Sequence, residues 1–500
     1  MVKSKKIRSS FFAMMIIFVV ILISSCILSL IGFGGDKSYI ANGSIETTLV
    51  TVRNPLSVKG ISAILSNSVS NFINFTPLMY LLISLIGIGV LDKSGLLDVI
   101  VKPFKNLKFN IIIFMTFFLS IIFTWLGDYS YVLLLPLVAL LYRKIGKNPI
   151  IGIIVCFIAL TACSGANVIF NYDDHYLGVL TQASASLEVD KNYKFVISST
   201  LFIMIASSII LSIIGTIITR KNLESRMIEA KKYENDEVIY SKKGFAISLI
   251  VFIVLNLIMI YFILPIKLPG AGMLLGSSKS YMERLFSNTS PFRNSFLVLN
   301  MFVLVITGTV YGFISKNFKN SQDLGNSLSS YYEFIGIAVV YSFLVSQITS
   351  IISWTRLGDV VAYNLVEFMN TLEFSGIPLV IVFFIIVILI SILLPDMYGN
   401  WAIISPTIVP LFMRSNITPD FTQFIFKAAD GIGKCFTPLF GYFVITFALI
   451  SYYKKDEIGI FGLFKKTMPL ILTLLGVWIL ILIGWYIIGL PLGVGSYTTL

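Results

Sequence analysis

Residues 426–438 read FKAADGIGKCFTP and place Lys427, Asp430 and Lys434 inside an otherwise apolar stretch. An ionised side chain at the centre of a membrane helix costs about 2.5–3.5 kcal/mol on insertion scales, so charges kept there mark an ion path, a ligand site or a structural pair. Lys427 and Asp430 are spaced i,i+3, close enough to pair on one helix face and offset part of that cost. Two readings are open. In one, the pair only docks this helix against a neighbour. In the other, Asp430 handles a coupling cation while Lys427 holds an anionic substrate. Lys434 reads as a snorkelling lysine. Gly431, Gly433 and Pro438 predict that the helix unwinds over 431–438, where freed carbonyls suit sodium or protons.

Other polar residues fall at similar interruptions. Asp128 lies in WLGDYS (125–130), where it is either solvated or in contact with substrate or cation. Asp173 and Asp174 follow a second break, TACSGANV (161–168), and one of the two is expected to cap a helix or sit in a loop. Asn167 and Asn171 can supply amide contacts beside them. Trp401, in PDMYGNW (395–401), either stacks on an aromatic ring or anchors at the membrane interface. No Walker A loop, kinase set or GxSxG elbow is present, and the single His175 has no partner histidine, so neither ATP use nor an enzyme is indicated. Cys26, Cys156, Cys163 and Cys435 lie in apolar runs without CxxC spacing, which argues against a disulfide framework or zinc site. No cofactor is expected beyond Na+ or H+ as the coupling ion.

The elements that must position these residues are membrane helices. The chain of 500 residues is 57% hydrophobic and 12% charged, a composition that excludes a soluble domain. Nine apolar segments read as complete crossings: 11–33, 75–95, 149–180, 194–218, 244–264, 297–315, 332–354, 421–452 and 467–490. Two more stretches, 109–145 and 379–414, are interrupted at WLGDYS and PDMYGNW. Their arms of about fifteen residues fall short of the roughly twenty that a crossing needs, so each is predicted to be a re-entrant hairpin. The fold class is therefore all-α polytopic membrane protein.

The net charge of +12 is not a nucleic-acid stripe. Lys3, Lys5, Lys6, Arg8, Arg220, Lys221, Lys231, Lys232, Lys242, Lys243, Lys454, Lys455, Lys465 and Lys466 flank the apolar runs. Arg143, Lys144 and Lys147 mark the exit of the first hairpin. With the N-terminus in the cytoplasm, every basic cluster falls inside and the C-terminus falls outside. The first apolar run reads as an uncleaved helix in the cytoplasmic membrane. Residues 34–74 lie outside, with an interfacial helix near 58–72. NGS (42–44) and NTS (288–290) match a glycosylation pattern that arises easily by chance.

The two interrupted regions align without gaps at an offset of 270, matching Pro136 with Pro406, Pro149 with Pro419, and TACSGANV with GIGKCFTP (431–438). Because 75–95 and 332–354 precede them in opposite directions, the repeats are read as inverted, a pattern of secondary transporters. This divides the chain into a first half 1–218, a cytoplasmic linker 219–243 and a second half 244–500.

Several blocks carry a resemblance: NFTPLMYLLISLIGIGVLDKSGL (74–96), GDYSYVLLLPLVALLYRKIGKNPIIG (127–152), SGANVIFNYDDHYLGVLT (164–181), VSQITSIISWTRLG (345–358), NWAIISPTIVPLFM (400–413), TPDFTQFIFKAADGIGKCFTPLFGYF (418–443) and GLPLGVG (489–495). In this order and spacing the chain resembles the p-aminobenzoyl-glutamate transporter (AbgT) family over most of 72–493. The resemblance implies nine membrane helices, two re-entrant hairpins and a homodimer. It also implies gradient-driven movement of p-aminobenzoyl-glutamate or related folate-pathway compounds, with sulfonamide efflux by some members. The positions it marks are Asp174, Trp401, Pro419, Asp430 and Pro438. Lys427 stands where the family has arginine, Tyr398 where it has serine, Ser391 where it has asparagine, and His175 where it has proline. On this reading Trp401 stacks on the ring and Lys427 holds a carboxylate. Asn167, Pro419 and Pro438 complete the substrate site, and Asp430 with Asp174 and Asp128 couples the ion.

Overall fold

Apolar runs bounded by Ser, Asn, Thr and Pro become helices that start where those residues cap them. The computed structural model describes residues 10–41, 44–188, 190–224, 229–231, 238–287, 289–332, 334–455 and 458–500. Lys3, Lys5, Lys6, Arg8, Lys232 and the two glycosylation-pattern asparagines, Asn42 and Asn288, lie outside the described residues. In chain order come α1 (Ser10–Leu30), strands β1 (Gly34–Ala41) and β2 (Ser44–Thr51), α2 (Val58–Ile73), α3 (Thr76–Lys93), α4 (Leu96–Val101), α5 (Phe109–Phe123), α6 (Tyr129–Lys144), α7 (Pro149–Ala162), α8 (Tyr172–Glu188) and α9 (Leu201–Ile218). Then follow α10 (Lys242–Tyr261), α11 (Tyr281–Phe286), α12 (Pro291–Ser315), α13 (Ser321–Ser329), α14 (Ile335–Thr355) and α15 (Leu357–Thr371). The last five are α16 (Gly376–Leu393), α17 (Met397–Arg414), α18 (Pro419–Lys434), α19 (Gly441–Tyr453) and α20 (Ile460–Ile488).

Among the described residues, nine helices are long and apolar enough to cross a membrane. The number agrees with the sequence reading, but the membership differs. Two of the nine, Phe109–Leu126 and Gly376–Leu393, are first arms of the interrupted stretches. The expected crossings at 149–180 and 421–452 are instead pairs of shorter helices, α7 with α8 and α18 with α19, separated by unwound backbone. The chain is also not wholly helical. Strands β1 and β2 pair antiparallel, Gly34 opposite Thr51 through Ala41 opposite Ser44. Ile45, Thr47, Thr48, Val50 and Thr51 supply the β-branched residues that fit a pleated surface. The hairpin lies against α15, where Asn364 Nδ2 donates to the Gly34 carbonyl at 3.0 Å. The helix expected near 58–72 is α2, capped by the Ser57 side chain.

The matched prolines each open a capped helix. Asn148 caps α7 and Thr418 caps α18, each followed by proline at the first helical position. Helix α5 packs on α7 as α16 packs on α18, and the second halves cross over, with α19 on α7 and α8 on α18. The two broken helices therefore lie side by side, with the first gap against the turn of α18 at Lys427–Gly431. Ser164 Oγ, in the first gap, donates to the Lys427 carbonyl at 3.4 Å.

The unwinding begins later in α18 than expected. Gly431 and Gly433 stay helical, and the gap runs from Cys435 to Phe440. The glycines admit neighbours rather than break the helix. A Cβ on Gly431 would strike the Thr161 carbonyl and Ser164 Oγ; one on Gly433 would lie 2.7 Å from Ser391 Cβ and 2.8 Å from the Ile388 carbonyl. Freed carbonyls at the end of α7 find buried donors. Trp478 Nε1 reaches the Ala162 carbonyl at 2.8 Å, and Tyr131 Oη reaches that of Leu160 at 3.2 Å. Backbone that leaves a helix at membrane depth needs such partners.

Lys144 is not a solvated marker of the first hairpin's exit. It is buried, with Nζ 2.7 Å from Asp92 and 2.5 Å from Asp98. Tyr331 donates to Asp92 at 2.5 Å, so this cluster ties the ends of α3, α4 and α6 to the approach to α14.

Candidate functional site

The two interrupted stretches and the two broken helices converge on one cavity of about 700 Å³. The first tip contributes Thr124, Gly127, Asp128 and Ser130; the second contributes Pro395, Asp396, Tyr398 and Asn400. The broken helices add Thr161, Ser164, Lys434 and Phe440. Gly127 turns the first tip at φ 58°, ψ −136°, a backbone conformation that L side chains avoid. Four lining carboxylates, Asp128, Asp173, Asp359 and Asp396, face one lining base, Lys434.

Asp128 is exposed to this cavity, as its place in the tip suggests. Asp173 and Lys434 also line it, whereas Lys427, Asp430, Asp174, Asn167 and Trp401 stand behind the wall. Lys427 is buried and does not pair with Asp430, its i,i+3 neighbour. Its Nζ lies 2.5 Å from Asp174 Oδ1 and 3.5 Å from Asn171 Oδ1. Asp430 pairs with Lys434 at 2.6 Å, and Ser391 Oγ donates to its other oxygen at 2.7 Å. An acid one turn N-terminal to a lysine is the favourable i,i+4 order, and it outcompetes the i,i+3 pair here because Asp174 supplies Lys427 from another helix. Lys434 is thus no snorkelling lysine: its ammonium sits at the cavity wall, 5.6 Å from the centre of the Phe440 ring.

Asp173 and Asp174 divide their tasks. Asn171 and Asp174 form a reciprocal cap at the start of α8: the Asp174 N–H donates to Asn171 Oδ1 at 3.0 Å, and the Asn171 N–H donates to Asp174 Oδ2 at 2.9 Å. Asp173 faces the cavity and accepts from Tyr398 Oη at 2.5 Å. Asn167 is fully buried and holds the first gap to the first tip, donating to Thr124 Oγ1 at 2.9 Å.

Trp401 is fully buried and does not line the cavity. Its Nε1 donates to Thr181 Oγ1 at 3.0 Å and to the Leu177 carbonyl at 3.2 Å, and its ring lies 4.6 Å from that of Phe426. It locks α17 to α8 and α18. Pro419 starts α18, roughly 16 Å along the axis from Asp430, and Pro438 lies in the second gap outside the cavity lining. Sequence reasoning missed Lys434, Asp173, Asp396 and Tyr398 as wall residues. Only the i,i+4 spacing of Asp430 and Lys434 carried a readable signal.

Among the described residues no three His, Cys, Asp or Glu side chains gather as a metal site. The groups able to receive a cation are Asp430, backed by Ser391, and the cavity carboxylates. The arrangement can exchange partners: an anion entering the cavity meets the Lys434 ammonium, and Asp430 is then left to find another cation.

Known proteins are similar to this chain. The p-aminobenzoyl-glutamate transport protein of Escherichia coli (strain K12) is 24% identical over 498 residues, covering 99% of this chain and 95% of that protein. MtrF of Neisseria gonorrhoeae, whose structure is described as illuminating a class of antimetabolite efflux pumps, is 25% identical with a TM-score of 0.50, covering 98% of each chain. The YdaH transporter of Alcanivorax borkumensis, described as having an unusual topology, is 24% identical with a TM-score of 0.49, covering 97% of this chain and 99% of its own. Residues 4–500 match the AbgT putative transporter family, and this multi-pass membrane chain belongs to that family.

Proposed function

We propose that this protein is a secondary transporter that moves p-aminobenzoyl-glutamate or a related aromatic carboxylate with a coupling cation. The observation that carries the reading is the Lys434–Asp430 pair, with the lysine at the cavity wall and the fully buried acid behind it. A cargo carboxylate entering the cavity draws Lys434 to itself. Asp430 keeps its bond from Ser391, but a buried carboxylate without its counter-charge is costly, so a proton or sodium ion takes the lysine's place. Anion and cation then favour each other's binding, because coupling between two sites is reciprocal. That is symport, with the ion gradient driving the cargo.

The cargo class rests on the Escherichia coli relative, which spans nearly the whole chain. The tips at 124–130 and 394–400 act as re-entrant ends of inverted repeats, placing the cavity where alternating access needs it. The N-terminus lies in the cytoplasm, the C-terminus outside, and two copies form a homodimer. Labelled p-aminobenzoyl-glutamate flux in proteoliposomes, with a proton or sodium gradient imposed, tests the reading. Flux rising with one gradient supports it; flux indifferent to both sinks the coupling.

A second reading has its own observation. Four carboxylates against one lysine make the cavity unfriendly to a dianion and better suited to an uncharged aromatic amine. Export of sulfonamide-type antimetabolites fits that wall, and MtrF is described in those terms. Sulfonamide accumulation in cells with and without the protein separates the two: lower accumulation with the protein favours export.

A further inference from the structure

Beside the main cavity, across the first tip, lies a second chamber of about 200 Å³. Its wall is of a different kind. Trp125, Tyr129, Tyr172 and Phe296 give it aromatic faces, and Arg293 is its base. Trp125 and Phe296 meet edge to face at 6.3 Å, and Tyr129 lies 5.6 Å from Phe296. The Arg293 guanidinium lies 4.0 Å from the centre of the Tyr172 ring, and its Nη1 donates to the Phe286 carbonyl at 3.3 Å. The Arg293 carbonyl in turn accepts from Tyr129 Oη at 3.1 Å. The base is therefore braced by the same aromatic residues that line the chamber. Gly127, Asp128 and Tyr398 belong to both cavities, so the first tip, with Tyr398 of the second, is the partition between them.

We propose that this chamber binds an aryl carboxylate, its ring against Trp125 and Phe296 and its carboxylate on Arg293, as a station beside the main cavity. The proposal rests on the cargo class given above and names where that cargo is first recognised. The main cavity supplies a single lysine, committed to Asp430, among four carboxylates. The chamber supplies what an aryl carboxylate needs: flat apolar faces and a planar guanidinium, which stacks through its face and binds a carboxylate through its edge. The volume fits as well. A cavity of roughly 150 Å³ accepts benzene, so the chamber holds one substituted ring rather than the whole of a larger conjugate. A cargo carrying an aryl group and further carboxylates would then pass the Asp128–Tyr398 partition before meeting Lys434.

The test uses the full-length purified protein and three probes: 4-aminobenzoate, aniline, which lacks the carboxylate, and cyclohexanecarboxylate, whose ring is saturated and has no aromatic face. Calorimetric titration of the wild type is expected to show 4-aminobenzoate binding at least tenfold tighter than either control. Arg293→Gln should weaken 4-aminobenzoate binding by about 10–100-fold, the range for losing a charge-assisted pair. Arg293→Lys should weaken it by about tenfold, and aniline binding should stay within twofold in both variants. Equal binding of all three probes to the wild type overturns the proposal without any variant. So does Arg293→Gln binding 4-aminobenzoate within twofold of the wild type. The cargo reading fails separately. Protein that binds 4-aminobenzoate through Arg293 but moves no p-aminobenzoyl-glutamate keeps the chamber and loses that cargo. Gradient-driven flux whose KM is unchanged in Arg293→Gln keeps the cargo and loses the chamber.

Discussion

Replacing Lys434 with methionine removes the positive half of the most consequential pair in the protein. The two charges are 2.6 Å apart, with side chains 12% and 1% exposed. At an effective dielectric of about 20, their gross attraction is about 6 kcal/mol. Much of that offsets the desolvation of both groups, so the net loss on removing one partner is smaller, about 3–5 kcal/mol, because the other charge stays buried and unpaired. Asp430→Asn in the Lys434→Met background removes that stranded charge while keeping an acceptor for Ser391 Oγ, which now donates to the carboxylate at 2.7 Å. The double variant should therefore recover to within about 1.5 kcal/mol of the wild type, giving a coupling energy of at least about 1.5 kcal/mol, larger by whatever Asp430→Asn costs on its own. Unfolding of the purified protein in mixed-detergent titrations measures all four corners of the cycle. Single and double variants that are simply additive would refute the claim that Lys434 and Asp430 depend on each other.

Three other substitutions separate positioning from contact. Trp401→Phe keeps the ring beside Phe426 but loses the bonds from Nε1 to Thr181 and Leu177. It should cost about 1–2 kcal/mol in the same detergent titration and leave KM for the aromatic cargo within about twofold; a large rise in KM would return the ring to the binding site. Gly431→Ala drives a methyl group into the Thr161 carbonyl and Ser164 Oγ, and overpacking of this kind costs about 1–3 kcal/mol. The close approach of α18 to the end of α7 cannot then be kept, so flux should fall further than stability does, as proteoliposome assays beside unfolding titrations will show. Lys144→Met strands Asp98 at the joined ends of α3, α4 and α6, while Asp92 keeps the Tyr331 hydroxyl and Arg143 at 3.6 Å, and should lose about 3 kcal/mol with cargo affinity in the folded fraction unchanged.

The parts of the fold legible in the sequence were those that follow from chain chemistry. Proline after a capping Asn or Thr marks where α7 and α18 begin, 270 residues apart. The class of membrane helices follows from the lengths of the apolar runs. What failed needed knowledge of neighbours. Gly431 and Gly433 look like helix breakers, yet they are spaces for Ser164 and Ser391, which no local pattern reveals. The strand pair at 34–51 carries no clear local signal, because its alternation is short and it leans on α15. Lys427 was assigned to Asp430 by proximity in sequence, whereas Asp174 comes from a helix 253 positions away. Asp173 and Asp174 cannot be told apart by type; only the turn of α8 sends one to the cap and the other to the cavity. Arg293 gave no signal at all, since its partners are gathered from the first tip, the start of α8 and the end of α11.

The exchange of Lys434 between Asp430 and a cargo carboxylate is tested most directly by equilibrium binding. The dissociation constant of p-aminobenzoyl-glutamate is measured on the purified protein while sodium and proton concentrations are varied in turn. One of the two cations should tighten cargo binding, the cargo should tighten binding of that cation by the same factor, and Asp430→Asn should abolish the dependence. Affinity that is indifferent to both cations, weakens as either rises, or keeps its dependence in Asp430→Asn would contradict the exchange.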